Sequence, residues 1–130
     1  MTIIKEKSKQ RSLEEILGNS TSPFFLYDLN ALKEHLQSLK LSYQAGPFKF
    51  YYALKANPLS AIIDVVAEEG FGFDCASLGE LKHVLSRGVN PKEILLTGPA
   101  KSSHFLDYAI DKGISLFVLE SIEQLRLLEG

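Results

Sequence analysis

A chain of 130 residues with 45% hydrophobic content is long enough for one domain with its own core, and its net charge of -2 comes from well-mixed residues with no basic block, which argues against a nucleic-acid surface. The single cysteine, Cys75, excludes an internal disulfide, no Cys/His spacing suggests zinc, and no apolar run approaches membrane-spanning length. The polar start from Met1 to Arg11 lacks the apolar stretch of a secretion signal, so the reading is a soluble chain of a reducing compartment, the cytoplasm, with no membrane partner.

Residues 1–22 form a polar segment with a short amphipathic piece around Leu13, Ile16 and Leu17. Pro23 to Asp28 is strand-like, and Leu29 to Tyr43 is helical, with Leu32, Leu36 and Leu39 near one face. Gly46-Pro47 separates this lead from an array of βα units that begins at Phe48 and repeats about every 20 to 23 residues. The predicted strands are Phe48 to Lys55, Phe71 to Ala76, Ile94 to Thr97 and Ile114 to Leu119. The predicted helices are Ser60 to Glu69, Leu78 to Arg87, Ser103 to Asp111 and Ile122 to Leu128. Ala61, Ile62, Val65 and Val66 make the inner side of the first of these helices, and Phe105, Leu106, Ala109 and Ile110 that of the third.

The junctions support these boundaries. Ser77-x-x-Glu80 and Ser121-x-x-Gln124 fit the capping box, in which the hydroxyl and the side chain three residues on satisfy orphan backbone donors. Gly70, Gly88 and Gly113 follow the first three helices, where a left-handed residue ends a helix at least cost. Four units without a hairpin signal imply parallel pairing through right-handed crossovers. Two closures remain: an open, doubly wound sheet, or the first half of an eight-stranded barrel, which as a whole needs about 250 residues. The fingerprint G-x-G-x-x-G is absent, since Gly70-Phe71-Gly72 precedes a strand rather than a helix.

Candidate chemistry gathers at the strand ends, where parallel α/β proteins place their sites. Alternation puts Lys49, Tyr51, Ala53 and Lys55 on one face of the first strand and Phe48, Phe50, Tyr52 and Leu54 on the other. The bulky set suits packing against helices. The first set, with small Ala53 beside Lys55, suits a barrel interior in which a desolvated amine becomes nucleophilic toward an aldehyde. Asp74, within an otherwise apolar strand, needs a partner, and Lys55 on the adjacent strand is a candidate. Glu80 serves either as a helix cap or in the site. His35, His83 and His104 fall on helix surfaces without an assigned role, and Cys75 reads as a small buried hydrophobe. Thr97-Gly98-Pro99-Ala100-Lys101 could cradle an anion with Lys101 on a phosphate, or form a simple βα turn.

Three motifs in order carry a family resemblance: Tyr52-Ala53-Leu54-Lys55-Ala56-Asn57-Pro58, then Gly70 to Ser77 with Gly79-Glu80, then Thr97 to Lys101. With Pro23 to Asp28 and the Leu29-Asn30-Ala31-Leu32 start, residues 22 to 130 resemble the amino-terminal part of the pyridoxal-phosphate-dependent ornithine/diaminopimelate/arginine decarboxylases, the alanine-racemase-like barrel family. The resemblance implies an α/β fold that is a partial (β/α)8 TIM-type barrel of about four βα units, preceded by a short strand and helix. Residues 1–22 would then be a polar amino-terminal segment, and 23–130 the amino-terminal half of a cofactor-binding barrel domain.

The same resemblance implies pyridoxal 5'-phosphate as cofactor, Lys55 as the catalytic residue that holds it as a Schiff base, Asp74 and Glu80 lining its site, and Ala53 beneath the ring. It implies a small amino-acid substrate of diaminopimelate or ornithine type, which displaces Lys55 and loses its α-carboxylate as carbon dioxide, and a homodimer in the full-length form. Family members are much longer. The ring-stacking histidine, the glycine-rich phosphate loop and the second domain have no counterpart here, so this chain is expected to be a fragment, inactive in isolation. The alternatives are a racemase-like protein on the same scaffold and a non-catalytic half-barrel that docks on a full-length relative.

Overall fold

The computed structural model describes residues 13–18, 23–43 and 46–129. The rest of the polar amino-terminal segment, and the side chains of Leu13, Ile16 and Leu17, lie outside the described residues. A short helix α1 (Leu13–Gly18) and a longer one, α2 (Leu29–Ser42), precede the array. Asp28 caps α2, its Oδ1 accepting from the backbone N–H groups of Asn30 and Ala31 at 2.9 and 3.0 Å. The array runs β1 (Tyr51–Ala53), α3 (Ser60–Glu68), β2 (Gly72–Cys75), α4 (Leu78–Ser86), β3 (Ile94–Leu96), α5 (Ser103–Asp111), β4 (Leu116–Phe117) and α6 (Ile122–Glu129). The four strands form one parallel sheet in the order β1-β2-β3-β4, which is the alternating α/β architecture expected from the pattern.

Every strand is shorter than its sequence suggests. Hydrogen-bonded pairing ends where a neighbour ends, and the outer parts of each apolar run belong to the connections. Pro23 to Asp28 is not a strand; it has no ladder partner among the described residues, and Phe25 is 75% exposed. Phe48 precedes β1 and is likewise exposed, so it is not part of the helix-facing set.

One face of the sheet carries the core. Leu54, Phe73, Cys75, Ile94 and Leu96 are fully buried against Ile62, Ile63 and Val66 of α3, Leu81 and Val84 of α4, and Phe105 and Ala109 of α5. Each fully buried aliphatic or aromatic side chain of this kind stabilises by about 1.5–3 kcal/mol. Ile63 completes an inner face of α3 in which Val65 is only half-buried. Ile110, expected inside, is 51% exposed; it lies one residue past buried Ala109, roughly 100° around the helix.

Leu36 anchors α2 to this core with Leu32 and Leu39 packed beside it. A polar clamp reinforces the join. Glu69, buried at the end of α3, accepts from Gln37 Nε2 at 3.2 Å and pairs with Lys33 at 3.4 Å, while Lys40 donates to its carbonyl oxygen at 2.6 Å. Both capping boxes form, with one difference. Ser77 and Ser121 accept from the N–H groups of Glu80 and Gln124, but Glu80 and Gln124 reach back to the N–H of Ala76 and Glu120, one residue before the cap. Gly70, Gly88 and Gly113 end their helices at φ of 75, 79 and 81° as anticipated.

Gly72 answers a different need. A Cβ there would lie 2.6 Å from the Tyr51 ring and 2.7 Å from the Glu93 carbonyl oxygen. Gly72→Ala is therefore expected to lower the unfolding free energy by about 1–3 kcal/mol through overpacking, measured by urea unfolding; an unchanged midpoint would contradict the close approach.

Candidate functional site

Alternation leaves the second face of the sheet without a helical layer among the described residues. Ala53, Asp74, Leu95 and Leu116 stand side by side across the four strands in register, with Tyr51 beside Gly72 one rung earlier. This is the face whose C-terminal rim carries the candidate residues.

Lys55 does not end a strand. After Ala53 the chain makes one tight 3-10 turn, Leu54–Ala56, because fully buried Leu54 must turn into the core. The turn packs against β2. It is held from behind: the Tyr52 hydroxyl donates to the Asn57 carbonyl oxygen at 3.2 Å, and Asn57 Oδ1 accepts from the Leu59 N–H at 3.1 Å, where α3 starts. Asn57 is extended, the conformation that the following Pro58 imposes. Tyr52 also meets the Phe73 ring edge-on at 6.3 Å between centroids, and burial pushes its phenol pKa up. Lys55 itself is exposed rather than desolvated, and it forms no hydrogen bond or ion pair among the described residues.

Asp74 is half-buried on the open face, with its Cα paired to that of Ala53. The ion pair expected with Lys55 is absent. Asp74 Oδ1 instead accepts from the Thr97 hydroxyl at 2.5 Å. Glu80 takes the capping role: its Oε2 accepts from the Ala76 N–H at 2.6 Å, at the junction between β2 and α4. The four residues singled out from the sequence are thus adjacent in the fold. Ala53 and Asp74 share a rung, Lys55 lies on the turn after Ala53, and Glu80 lies behind the junction that follows Asp74.

The loop after β3 is not an open anion cradle. Lys101 is 4% exposed, and its Nζ donates to the carbonyl oxygens of Gly98 and Val118 at 2.5 and 2.7 Å and to Gln124 Oε1 at 3.4 Å. Gln124, equally buried, donates through Nε2 to the Pro99 oxygen at 2.9 Å. The Gly98 N–H is taken by Glu120 Oε1 at 2.8 Å. The loop does hold an anion, but that anion is the chain's own carboxylate. Burial pushes the Lys101 ammonium's pKa down, and the charges of Glu120 and Asp74 oppose that shift. The sequence does not disclose this network, because Glu120 and Gln124 read as loop and cap residues and the Thr97 to Lys101 motif reads as an anion cradle or a turn, with no motif to link the Thr97 hydroxyl to Asp74. The place of Thr97 two residues after Leu95, on the Asp74 side, is the signal that could have found it.

Cys75 is fully buried, and its pKa is pushed up to about 12, first by burial and then by Glu80 and Asp74, so it is no nucleophile. His35 and His104 are exposed; His83 is half-buried on α4, with an Nε2 that has no partner among the described residues.

A family model described as "Pyridoxal-dependent decarboxylase, pyridoxal binding domain" matches residues 29–130. Diaminopimelate decarboxylase of Helicobacter pylori is 32% identical over 116 residues, which cover 89% of this chain and 29% of that protein. Ornithine decarboxylase of Schizosaccharomyces pombe is 35% identical over 102 residues, or 78% of this chain and 23% of that protein. The crystal structure of diaminopimelate decarboxylase from Helicobacter pylori complexed with L-lysine superposes with a TM-score of 0.84 at 30% identity, over 91% of this chain and 30% of that one. The chain therefore spans less than a third of the length of these relatives.

The two lysines of this region should respond oppositely to replacement. Lys101→Met strands buried acceptors and is expected to cost roughly 2–4 kcal/mol of unfolding free energy. Lys55→Met, at an exposed and unpaired position, should stay within about 0.5 kcal/mol of the parent. Urea unfolding of both variants measures this, and equal midpoints would contradict the assignment of Lys101 as a structural brace.

Proposed function

The chain belongs to the pyridoxal-dependent decarboxylases, its residues 29–130 matching their pyridoxal-binding domain, and from that premise we propose that it supplies the lysine-bearing part of a pyridoxal phosphate site in an enzyme that removes the α-carboxylate of an amino acid as carbon dioxide. The observation that carries this reading is Lys55: an exposed amine with no partner among the described residues, on a tight turn at the C-terminal rim of a parallel sheet, one residue past Leu54 and two past the small Ala53. The residues present fit the cofactor. An aldehyde-bearing group needs an amine not already held in an ion pair, a small residue where a flat ring lies, and a carboxylate to balance positive charge; Ala53 and Asp74 share a rung of the sheet, and Lys55 lies on the turn that follows it. When bound, the cofactor supplies an electron-withdrawing ring that makes loss of the carboxylate feasible.

The remaining roles belong to the chain. Lys55 is the covalent anchor, and its ammonium and amine forms move a proton at Nζ. Asp74 provides negative charge beside it. Glu80 fixes the Ala76 backbone at the end of β2 and so sets the rim. Tyr52 and Asn57 hold the Lys55 turn in place. The substrate class is an amino acid of the diaminopimelate or ornithine type, on the strength of the relatives named above. The 130-residue polypeptide on its own is proposed to have no turnover, because among the described residues β1 and β4 are unpaired edges and no layer covers the open face.

A second reading is a non-catalytic half-barrel that docks on a longer relative. The open edges favour it, as do exposed Leu116, Ile122 and Leu127, at 43%, 61% and 43%.

One experiment separates the two. The chain is mixed with equimolar pyridoxal phosphate, reduced with borohydride and mapped by peptide mass. The proposed site predicts a pyridoxyl group on Lys55 in preference to exposed Lys82 and Lys92, with no carbon dioxide released from diaminopimelate or ornithine. Labelling spread evenly over surface lysines would overturn the site reading and favour docking.

A further inference from the structure

We propose that Thr97 is a positioning residue of this site: it draws the Asp74 carboxylate away from Lys55 and so keeps the Lys55 amine unpaired and available. The inference rests on the reading of Lys55 as the cofactor anchor. Its starting point is a contrast between two neighbours. Asp74 and Lys55 flank the same rim, where an aspartate and a lysine would ordinarily form an ion pair, yet the Asp74 oxygen bonds the Thr97 hydroxyl at 2.5 Å and Lys55 has no partner among the described residues. A lysine held in an ion pair is held as the ammonium, which has no lone pair to attack a carbonyl.

Thr97 is well fixed for this task. Its N–H donates to the Cys75 carbonyl oxygen at 3.1 Å, which continues the pairing of β2 with β3 one residue past the strand, and its side chain lies on the Asp74 side. The next residue, Gly98, adopts φ of 91° and is gripped at both ends, its N–H by Glu120 and its carbonyl oxygen by Lys101 and Gln124. A Cβ at Gly98 would stand 3.3 Å from the Ala76 carbonyl oxygen in a conformation that side chains rarely adopt. Buried Lys101 therefore has a purpose beyond stability: it holds the turn that aims Thr97. The ionisable groups around Asp74 are the buried Cys75 thiol and Lys101 behind the loop, both of which feel its charge, Glu80 on α4, and Lys55 on the turn after β1. Glu80 and Lys101 are already engaged, so Lys55, two residues past the Ala53 that pairs with Asp74, is the cation of this group without a partner among the described residues.

The test follows the condensation that joins Lys55 Nζ to the aldehyde carbon of pyridoxal phosphate, in which the carbonyl oxygen leaves as water with the two amine protons. Its rate is read by absorbance at one fixed pH, with borohydride reduction and peptide mapping to assign the lysine. Thr97→Val, close in shape but without the hydroxyl, is expected to slow the reaction at Lys55 roughly tenfold with no change at Lys82. Thr97→Ser should react like the parent. An unchanged rate in Thr97→Val, or a Thr97→Ser variant as slow as Thr97→Val, would overturn the proposal while leaving the anchor reading intact. A parent chain that never labels at Lys55 would remove the anchor reading and this inference with it.

Discussion

The structure depends on the two-residue alternation of β1, β2 and β3. Side chains on a strand point in turn to opposite faces, and β2 shows the consequence most plainly. Phe73 and Cys75 go into the core, whereas Gly72 and Asp74 go to the open face. A slip of one residue would bury an aspartate and expose a phenylalanine, so the apolar set fixes the register and the register fixes the site. The rung Ala53, Asp74 and Leu95 is where it is because Tyr52, Phe73 and Ile94 need the other face.

The connections turn this face into a candidate site. Leu54 must enter the core immediately after β1, so the chain tightens into a single turn, and Lys55 is lifted onto the rim instead of continuing a strand. The next two βα junctions are built from polar bonds. Glu80 ties the end of β2 to α4, and Glu120, Lys101 and Gln124 tie the loop after β3 to the start of α6. Buried polar groups of this sort are stable only when every donor and acceptor is used. The Lys101 network meets that condition by using main-chain oxygens as the lysine's partners.

The sequence disclosed the repeating βα order and the helices to within a residue or so, because apolar period, serine caps and helix-ending glycines agree at each junction. Strand lengths were less legible. An apolar run such as Phe48 to Lys55 contains both ladder residues and connection residues, and only the neighbouring strand decides where pairing stops. The Pro23 to Asp28 segment has strand composition but no neighbour. At the site, Lys55 and Asp74 stood out because charged residues interrupt apolar runs. Their lack of mutual pairing did not, since Thr97 competes for Asp74 from a strand adjacent in space but more than twenty residues away in sequence. Lys101 looked like a phosphate ligand for a related reason: its three acceptors are main-chain and glutamine oxygens, which leave no charge pattern to read.

The proposed seat of the aldehyde cofactor is the open face beside Ala53 and Asp74, reached from the Lys55 amine. A crystal structure of the chain after reduction with pyridoxal phosphate and borohydride tests it most directly. The account predicts density continuous with Lys55 Nζ lying over the open face of the sheet, with Thr97 still bonded to Asp74. Density attached to another lysine, or a Lys55 adduct directed away from the sheet into solvent, would contradict it.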